Sequence, residues 1–407
     1  MRCIFRKSFI FSIVLLTFLL ASAAVHAEPL RFTSSTQFLW GDDLLGDSQA
    51  ILAQYLRMSF TPEGRPYSLT GYGRVSKDFG SPAVRSDNFE GRLYYLYVDY
   101  VFAPQITTRI GRQFTNFTAG TSLMDGVRLD VSSIGPVGIT LAGGRDVINT
   151  LDAAYSRNGN YFVGVDVHLQ DVKNTQLGIS YARKYDESDL AREELGMNFR
   201  YNYKIVSPYV ELKYDVTSEV FDEATLGVEV YPMDKLQLKG EFYHSYPTFD
   251  ATSIYSVFAV DKYREYMVSA EYRISSPVSV FVSYVKQTYE EDSNADVFRV
   301  GARLVPVEKL SVNASVDYRH GYGGNLWGFE VTGDYRVNEK IGLAAGVQYD
   351  SYKRPDLLEE TNDAQRYWIG GRWIATKNIS VTARIEEDVN ENFDHRTLGR
   401  VALNWNL

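Results

Sequence analysis

Leu310-Ser311-Val312-Asn313-Ala314-Ser315-Val316-Asp317-Tyr318-Arg319 alternates without a break between apolar and polar side chains. Successive side chains of a β-strand point to opposite faces, so period-2 alternation makes one face greasy and the other wet. Leu310, Val312, Ala314, Val316 and Tyr318 form the apolar face, and the residues between them form the wet one. The pattern recurs along most of the chain. Very short, turn-forming segments separate the repeats: Ala103-Pro104, Gly135-Pro136, 171–174, Ser207-Pro208, 233–235, Ser276-Pro277, 307–309, 338–340 and 376–378.

A second kind of connection alternates with the first. It is longer, polar and often acidic, as in 186–194, 290–296, 355–365 and 388–394. Short turns at one end and longer loops at the other are the asymmetry of a bacterial transmembrane barrel. Reading strands between the connections gives about 22, within a range of roughly 18–22, with spans of ~9–11 residues that fit a bilayer. The expected fold is all-β: a transmembrane, antiparallel, up-and-down β-barrel. An even strand number puts both termini on the periplasmic side.

The first residues set the compartment. Arg2, Arg6 and Lys7 precede a mainly apolar stretch, and Val25-His26-Ala27 offers small residues at cleavage spacing. Residues 1–27 therefore read as a Sec-type signal peptide, and 28–407 as one barrel domain with no separate plug. The expected location is the outer membrane of a Gram-negative cell. The single cysteine, Cys3, falls inside the signal. Removing the signal leaves 39 basic against 51 acidic residues, a net charge of −12, which argues against nucleic acid as a partner. The 30 tyrosines and 22 phenylalanines suit a membrane interface, and outer-membrane lipid is the first expected partner.

The polar members of the alternating strands should face the lumen. They are Arg128, Asp130, Asp166, His168, Arg200, Lys204, Glu211, Lys213, Asp215, Lys239, Glu241, Glu271 and Arg273 in the first part of the series. Arg299, Arg303, Asp317, Arg319, Glu330, Asp334, Arg336, Arg372, Arg384, Glu386 and Arg400 complete it. A cationic side chain facing lipid at the bilayer midplane costs ~2–4 kcal/mol. More than twenty charges cannot all face lipid, so the interior has to be wet or filled with polar protein.

Catalytic, cofactor and metal sites are not expected. There is no phosphate loop and no zinc spacing, and His168, His244, His320 and His395 are isolated in sequence. The chain end alternates through Val401, Leu403, Trp405 and Leu407. It resembles the C-terminal signal by which outer-membrane barrels are recognised, with Leu407 where an aromatic residue usually stands. That resemblance implies the barrel-assembly machinery as a partner.

Ile110-Gly111-Arg112-Gln113, followed by Asp125-Gly126-Val127-Arg128, resembles a strand–loop–strand unit of bacterial porins and polysaccharide-export barrels. The resemblance supports a porin-like reading, and the expected function is a passive channel for ions or small hydrophilic solutes. The longest candidate constriction loops, 78–88, 146–160 and 248–261, are short for so many strands, so a wide bore is expected. That shortage supports an alternative. The design also resembles the barrel component of porin–cytochrome conduits, which would make the chain a sheath around a multihaem cytochrome.

Overall fold

The computed structural model describes residues 30–42, 46–80, 89–149, 154–170, 172–248, 250–252, 262–290, 293–353, 361–391 and 393–407. The expected signal peptide lies outside them, as do most of 78–88 and 253–261 and parts of 146–160, 290–296 and 355–365. The described chain is a series of 22 strands. They are β1 (Leu30–Asp42), β2 (Ser48–Phe60), β3 (Tyr67–Asp78), β4 (Phe89–Ala103), β5 (Ile106–Phe117), β6 (Gly120–Ile134), β7 (Val137–Asn149) and β8 (Ala154–Leu169). Next come β9 (Thr175–Asp186), β10 (Asp189–Tyr201), β11 (Val206–Asp215), β12 (Val220–Met233), β13 (Leu236–Ser245), β14 (Tyr263–Ser275) and β15 (Val278–Thr288). The series ends with β16 (Asn294–Val307), β17 (Leu310–Gly321), β18 (Asn325–Arg336), β19 (Ile341–Lys353), β20 (Asn362–Thr376), β21 (Ile379–Asn390) and β22 (Phe393–Asn406).

Each strand pairs antiparallel with its neighbours in sequence, and β22 pairs with β1 from Thr33↔Asn406 to Gly41↔Leu398. Leu407 seals the seam: its amide donates to Phe32 O at 2.8 Å, and the Phe32 amide donates back at 3.1 Å. Closure leaves no sheet edge, which is what hydrocarbon demands of a spanning sheet.

Register carries each face unbroken across β11–β17. Asp317, Arg299, Ser283, Ser269, Lys239, Glu229 and Ser207 are successive cross-strand partners, and all are polar. One residue over, the partners are Val316, Val300, Val282, Ala270, Leu238, Val230 and Val206. Val316, Val300 and Val282 are about half exposed, at 52%, 56% and 48%. A continuous exposed apolar band of this kind suits lipid, so the polar face is the interior.

Several connections differ from the sequence reading: 146–160 and 388–394, expected as loops, are mostly the ends of β7 and β8 and of β21 and β22, and two others change more. The expected loop 186–194 is a two-residue turn. Glu187 and Ser188 both take positive φ, 52° and 78°, the geometry that matches strand twist in a tight hairpin. The acidic residues expected in the loop extend β9 and β10 instead. Ser207-Pro208 is not a turn either; it lies inside β11, and the connection is 202–205. Pro208 is tolerated because pairing of β11 with β10 begins only at Tyr209, so no bond is lost for want of its N–H.

Candidate functional site

One hairpin leaves the wall. Pairing of β5 with β4 stops at Leu96↔Arg112, although β4 continues to Phe89. Pairing of β6 with β7 stops at Met124↔Asp146. Beyond those points β5 and β6 stay paired with each other up to Phe117↔Gly120. Their tip lands on strands that are not their neighbours. The Ala119 amide donates to Ser180 Oγ on β9 at 2.8 Å, and Asn198 Nδ2 on β10 donates to Thr118 Oγ1 at 2.7 Å. The Phe117 ring stacks on Phe162 of β8 at 6.3 Å. Ser180 and Asn198 belong to the polar face, so the hairpin is folded into the lumen, over β7–β10.

Phe117, Ala119, Met124, Ala142, Phe162 and Ala182 form a buried apolar cluster under the hairpin. It is a small core on the wet side of a transmembrane wall. Burial of these side chains holds the hairpin down, at about 25 cal/mol per Å² of apolar surface covered.

Glycines make the fold line. Gly111, Gly126 and Gly144 are cross-strand partners in one row, and Gly111 has φ +129°. A Cβ on Gly126 would run into Gly143 O and approach Gly144 Cα to 2.6 Å, and one on Gly144 would meet Gly126 Cα at 2.5 Å. Only bare backbone allows that approach. Two more glycines seat the hairpin. A Cβ on Gly164 would meet the Phe117 ring at 2.6 Å, and one on Gly196 would strike the Ala119 amide.

Arg112 braces the bend. Its Nε and Nη2 donate to the two oxygens of Asp125 at 2.7 and 2.8 Å, a bidentate pair that fixes geometry as well as charge. Its Nη1 donates at 3.3 Å to Leu93 O, just beyond the last β4–β5 pair. Gln113, wholly buried, donates to Arg109 O and Gly126 O at 3.3 and 3.1 Å.

A charge network surrounds the seated hairpin. Ser122 of the hairpin donates to Asp146 at 2.7 Å. Lys184 lies between Asp146 and Asp250, at 3.5 and 3.3 Å. Arg192 reaches Asp250 at 2.9 Å and Glu194 at 3.3 Å, and Lys213 reaches Glu194 and Asp222 at 3.1 Å each. Asp222 accepts the Thr248 amide at 3.1 Å, and Ala251 N donates to Ala191 O at 2.7 Å. The residues after β13 are thereby tied to β10 and β12. Every carboxylate in the network has a cation, as half-buried charges require.

Most of the residues expected to face the interior do share the polar face. Arg128 and Asp130 pair at 2.8 Å, and His168 Nδ1 lies 2.6 Å from Asp166. Arg200, Glu211 and Lys213 stand on β10 and β11. Lys239 pairs with Glu241 at 2.9 Å, and Glu241 also accepts the Tyr209 hydroxyl. Arg299 pairs with Asp317, and Arg319 donates to Gln287 at 2.5 Å. Arg384 pairs with Glu386 and lies 4.2 Å over the Trp368 ring. Glu271, Arg273, Arg303, Glu330, Asp334, Arg336, Arg372 and Arg400 are exposed on the same face.

Two residues depart from that expectation. Lys204 is in the 202–205 turn with φ 48°, because the turn falls earlier than Ser207-Pro208. Asp215 has the lumen parity but is only 2% exposed, and its carboxylate accepts the amides of Thr217 and Ser218 at 2.8 and 3.1 Å. It caps the β11–β12 turn. Val401, Leu403 and Trp405 have the opposite, lipid parity, partnered by Ala383, Val381 and Ile379.

The hairpin seat was not read from the sequence. Its signal is there as an anomaly: Phe117, Met124, Ala142 and Phe162 are apolar at wet-face positions. Asn116 and Thr121 are the converse. They have lipid parity, yet with Asp166, Asn198, Arg200 and Lys213 they line a lumen cleft of about 590 Å³. Past the bend, the hairpin presents its outer face to the interior.

No protein-family model matches the chain, and no curated protein matches it in sequence. Solved structures match its fold. The siderophore receptor PirA from Pseudomonas aeruginosa superposes with a TM-score of 0.62 at 13% identity, over 94% of this chain and 80% of that one. The chain has the fold of outer-membrane β-barrels. The P pilus usher (PapC) translocation pore matches with a TM-score of 0.55 at 8% identity, covering 92% of this chain and 99% of that one. OccAB2 of Acinetobacter baumannii matches at 0.50 and 11% identity, over 93% and 97%. Likeness at such identities is one of fold.

Proposed function

We propose that this barrel is a passive channel for ions or small hydrophilic solutes in a Gram-negative outer membrane, narrowed by its own β5–β6 hairpin. One observation carries the reading. The hairpin covers only the wall of β7–β10, while the opposite wall keeps Arg273, Arg303, Glu330, Arg372 and Arg400 exposed. Exposed charges of both signs on an uncovered inner wall belong to a water-filled passage. A barrel of this strand number is wider than the 16–18 strands that already enclose an aqueous channel.

In this reading, residues 1–27 direct secretion, both termini are periplasmic, and Val401, Leu403, Trp405 and Leu407 form the face that the assembly machinery handles. The wide bore expected from the short loops is narrowed, in this reading, by a strand hairpin rather than by a long loop. The sheath around a multihaem cytochrome has less support, since the chain's own hairpin occupies wall that a threaded partner would contact.

Reconstitution in a planar bilayer tests the proposal. Steady ion conductance of the purified barrel is expected, with higher conductance when residues 114–123 are replaced by a short glycine linker. A silent barrel, or one recovered from its native membrane with a stoichiometric haem protein, refutes it.

A further inference from the structure

We propose that a strip of tyrosines on the lumen face of β2–β4 binds oligosaccharides. Tyr55 and Tyr72 stack with centroids 6.4 Å apart, and Tyr72 stacks on Tyr94 at 4.9 Å and approaches Tyr95 at 5.5 Å. Tyr95 continues to Tyr97 at 5.8 Å. A β-bulge builds the strip. Tyr72 partners Tyr95 and Gly73 partners Leu93, so Tyr94 is the extra residue, and consecutive tyrosines both reach the interior. Bulges re-aim side chains in this way.

The strip is open. Tyr97 is the cross-strand partner of Gly111, at the fold line of the hairpin, and the hairpin turns away from it toward β7–β10. All five rings are half-buried. Among the described residues, the hydroxyls of Tyr72, Tyr94, Tyr95 and Tyr97 have no hydrogen-bond partner. A row of ring surface with unpaired hydroxyls, set in water, matches a ligand that offers both apolar ring faces and hydroxyl groups.

Charged groups flank the strip. Arg109 lies 3.9 Å over the Tyr97 ring, but its guanidinium is met by Asp99 at 2.7 and 3.1 Å. Arg74, 5.9 Å from the Tyr55 ring centroid, is met by Glu90 at 2.5 Å. Arg57, the cross-strand partner of Tyr72 on the same face, is exposed, and Glu90 is shared between Arg74 and Arg92, so the strip accepts neutral and acidic sugars alike. A purely apolar or aromatic solute would desolvate the hydroxyls without replacing their hydrogen bonds, which is unfavourable. A saccharide meets both requirements.

The proposal rests on the channel reading, and the test separates the two. Calorimetry on the purified barrel, with maltohexaose, cellohexaose and a mannose hexamer as probes and benzoate as control, measures binding without reference to conductance. Saturable binding of at least one hexasaccharide and none of benzoate is expected. Tyr72→Ala and Tyr95→Ala should each weaken it about two- to tenfold, the scale of one aromatic contact. Tyr95→Phe, which keeps the ring and the fold, should weaken it less, and Tyr318→Ala on the lipid face should change nothing. No binding of any hexasaccharide, binding unaltered in both alanine variants, or preference for benzoate overturns the strip. Sugar binding by a barrel that conducts no ions leaves the strip standing and removes the channel.

Discussion

The amide of Ala119 donates to the hydroxyl of Ser180 at 2.8 Å, joining residues 61 positions apart on β5–β6 and β9. Strands kept in their places in the wall could not make such a bond, because β7 and β8 lie between the hairpin and β9. It marks where the chain folds back into its own lumen, and the surrounding packing explains why it stays there. Gly196 supplies the room and the Phe117–Phe162 stack supplies apolar burial.

Gly196→Leu should unseat the hairpin tip, because any Cβ at this position strikes the Ala119 amide. Membrane yield should be retained, since the wall itself is untouched. Planar-bilayer recordings should show a larger or more fluctuating conductance. An unchanged current would mean that the tip does not narrow the passage.

The Arg112–Asp125 pair should be coupled. Arg112 is 13% exposed, so Arg112→Ala leaves Asp125 with no bidentate partner and Leu93 O without its donor. The single variants should lower the temperature at which the folded gel band is lost. The double variant Arg112→Ala/Asp125→Ala should recover part of that loss. Strictly additive losses would remove the coupling.

Lys213→Met should destabilise more than either change at the fold line. It removes the ion pair of Asp222 and leaves Glu194 with Arg192 alone; their side chains are 7% and 5% exposed, and breaking a buried pair from one side costs ~3–5 kcal/mol. Heat-dependent gel mobility of the folded barrel measures this. A shift smaller than that of Glu211→Gln, on a neighbouring lumen position, would show the network to be inessential.

Val312→Arg and Ser311→Arg are adjacent in sequence but opposite in parity. Val312 partners Leu304 and Gly333 on the lipid face, whereas Ser311 partners Asp334 on the lumen face. The first places a cation in hydrocarbon at ~2–4 kcal/mol and should reduce membrane yield. The second should assemble normally. Equal yields would contradict the face assignment.

Deleting residues 403–407 should prevent closure. It removes the pairs from Thr36↔Leu403 to Thr33↔Asn406 and the two Leu407–Phe32 bonds, exposing an edge on β1. Unassembled, protease-sensitive protein is the expected product. A heat-modifiable, protease-resistant band from the truncated chain would refute it.

Alternation alone determined the architecture. Period-2 patterning such as 310–319 specifies which side chains meet lipid, and the turn formers specify where the chain reverses. Strand number and antiparallel order are therefore local information, repeated 22 times. The lumen parity of Arg299, Asp317 and Arg400 follows from the same local rule. The hairpin could not be read this way, because nothing local distinguishes β5 and β6 as strands that leave the wall. Its causes are long-range: Gly111, Gly126 and Gly144 come into one row only once three strands are in register, and Ser180, Asn198 and Gly196 become a seat only when the barrel closes. The tyrosine strip is likewise tertiary. A bulge sets two consecutive tyrosines on one face, and cross-strand pairing brings Tyr55 and Tyr72 beside them, although sequence separation gives no sign of it.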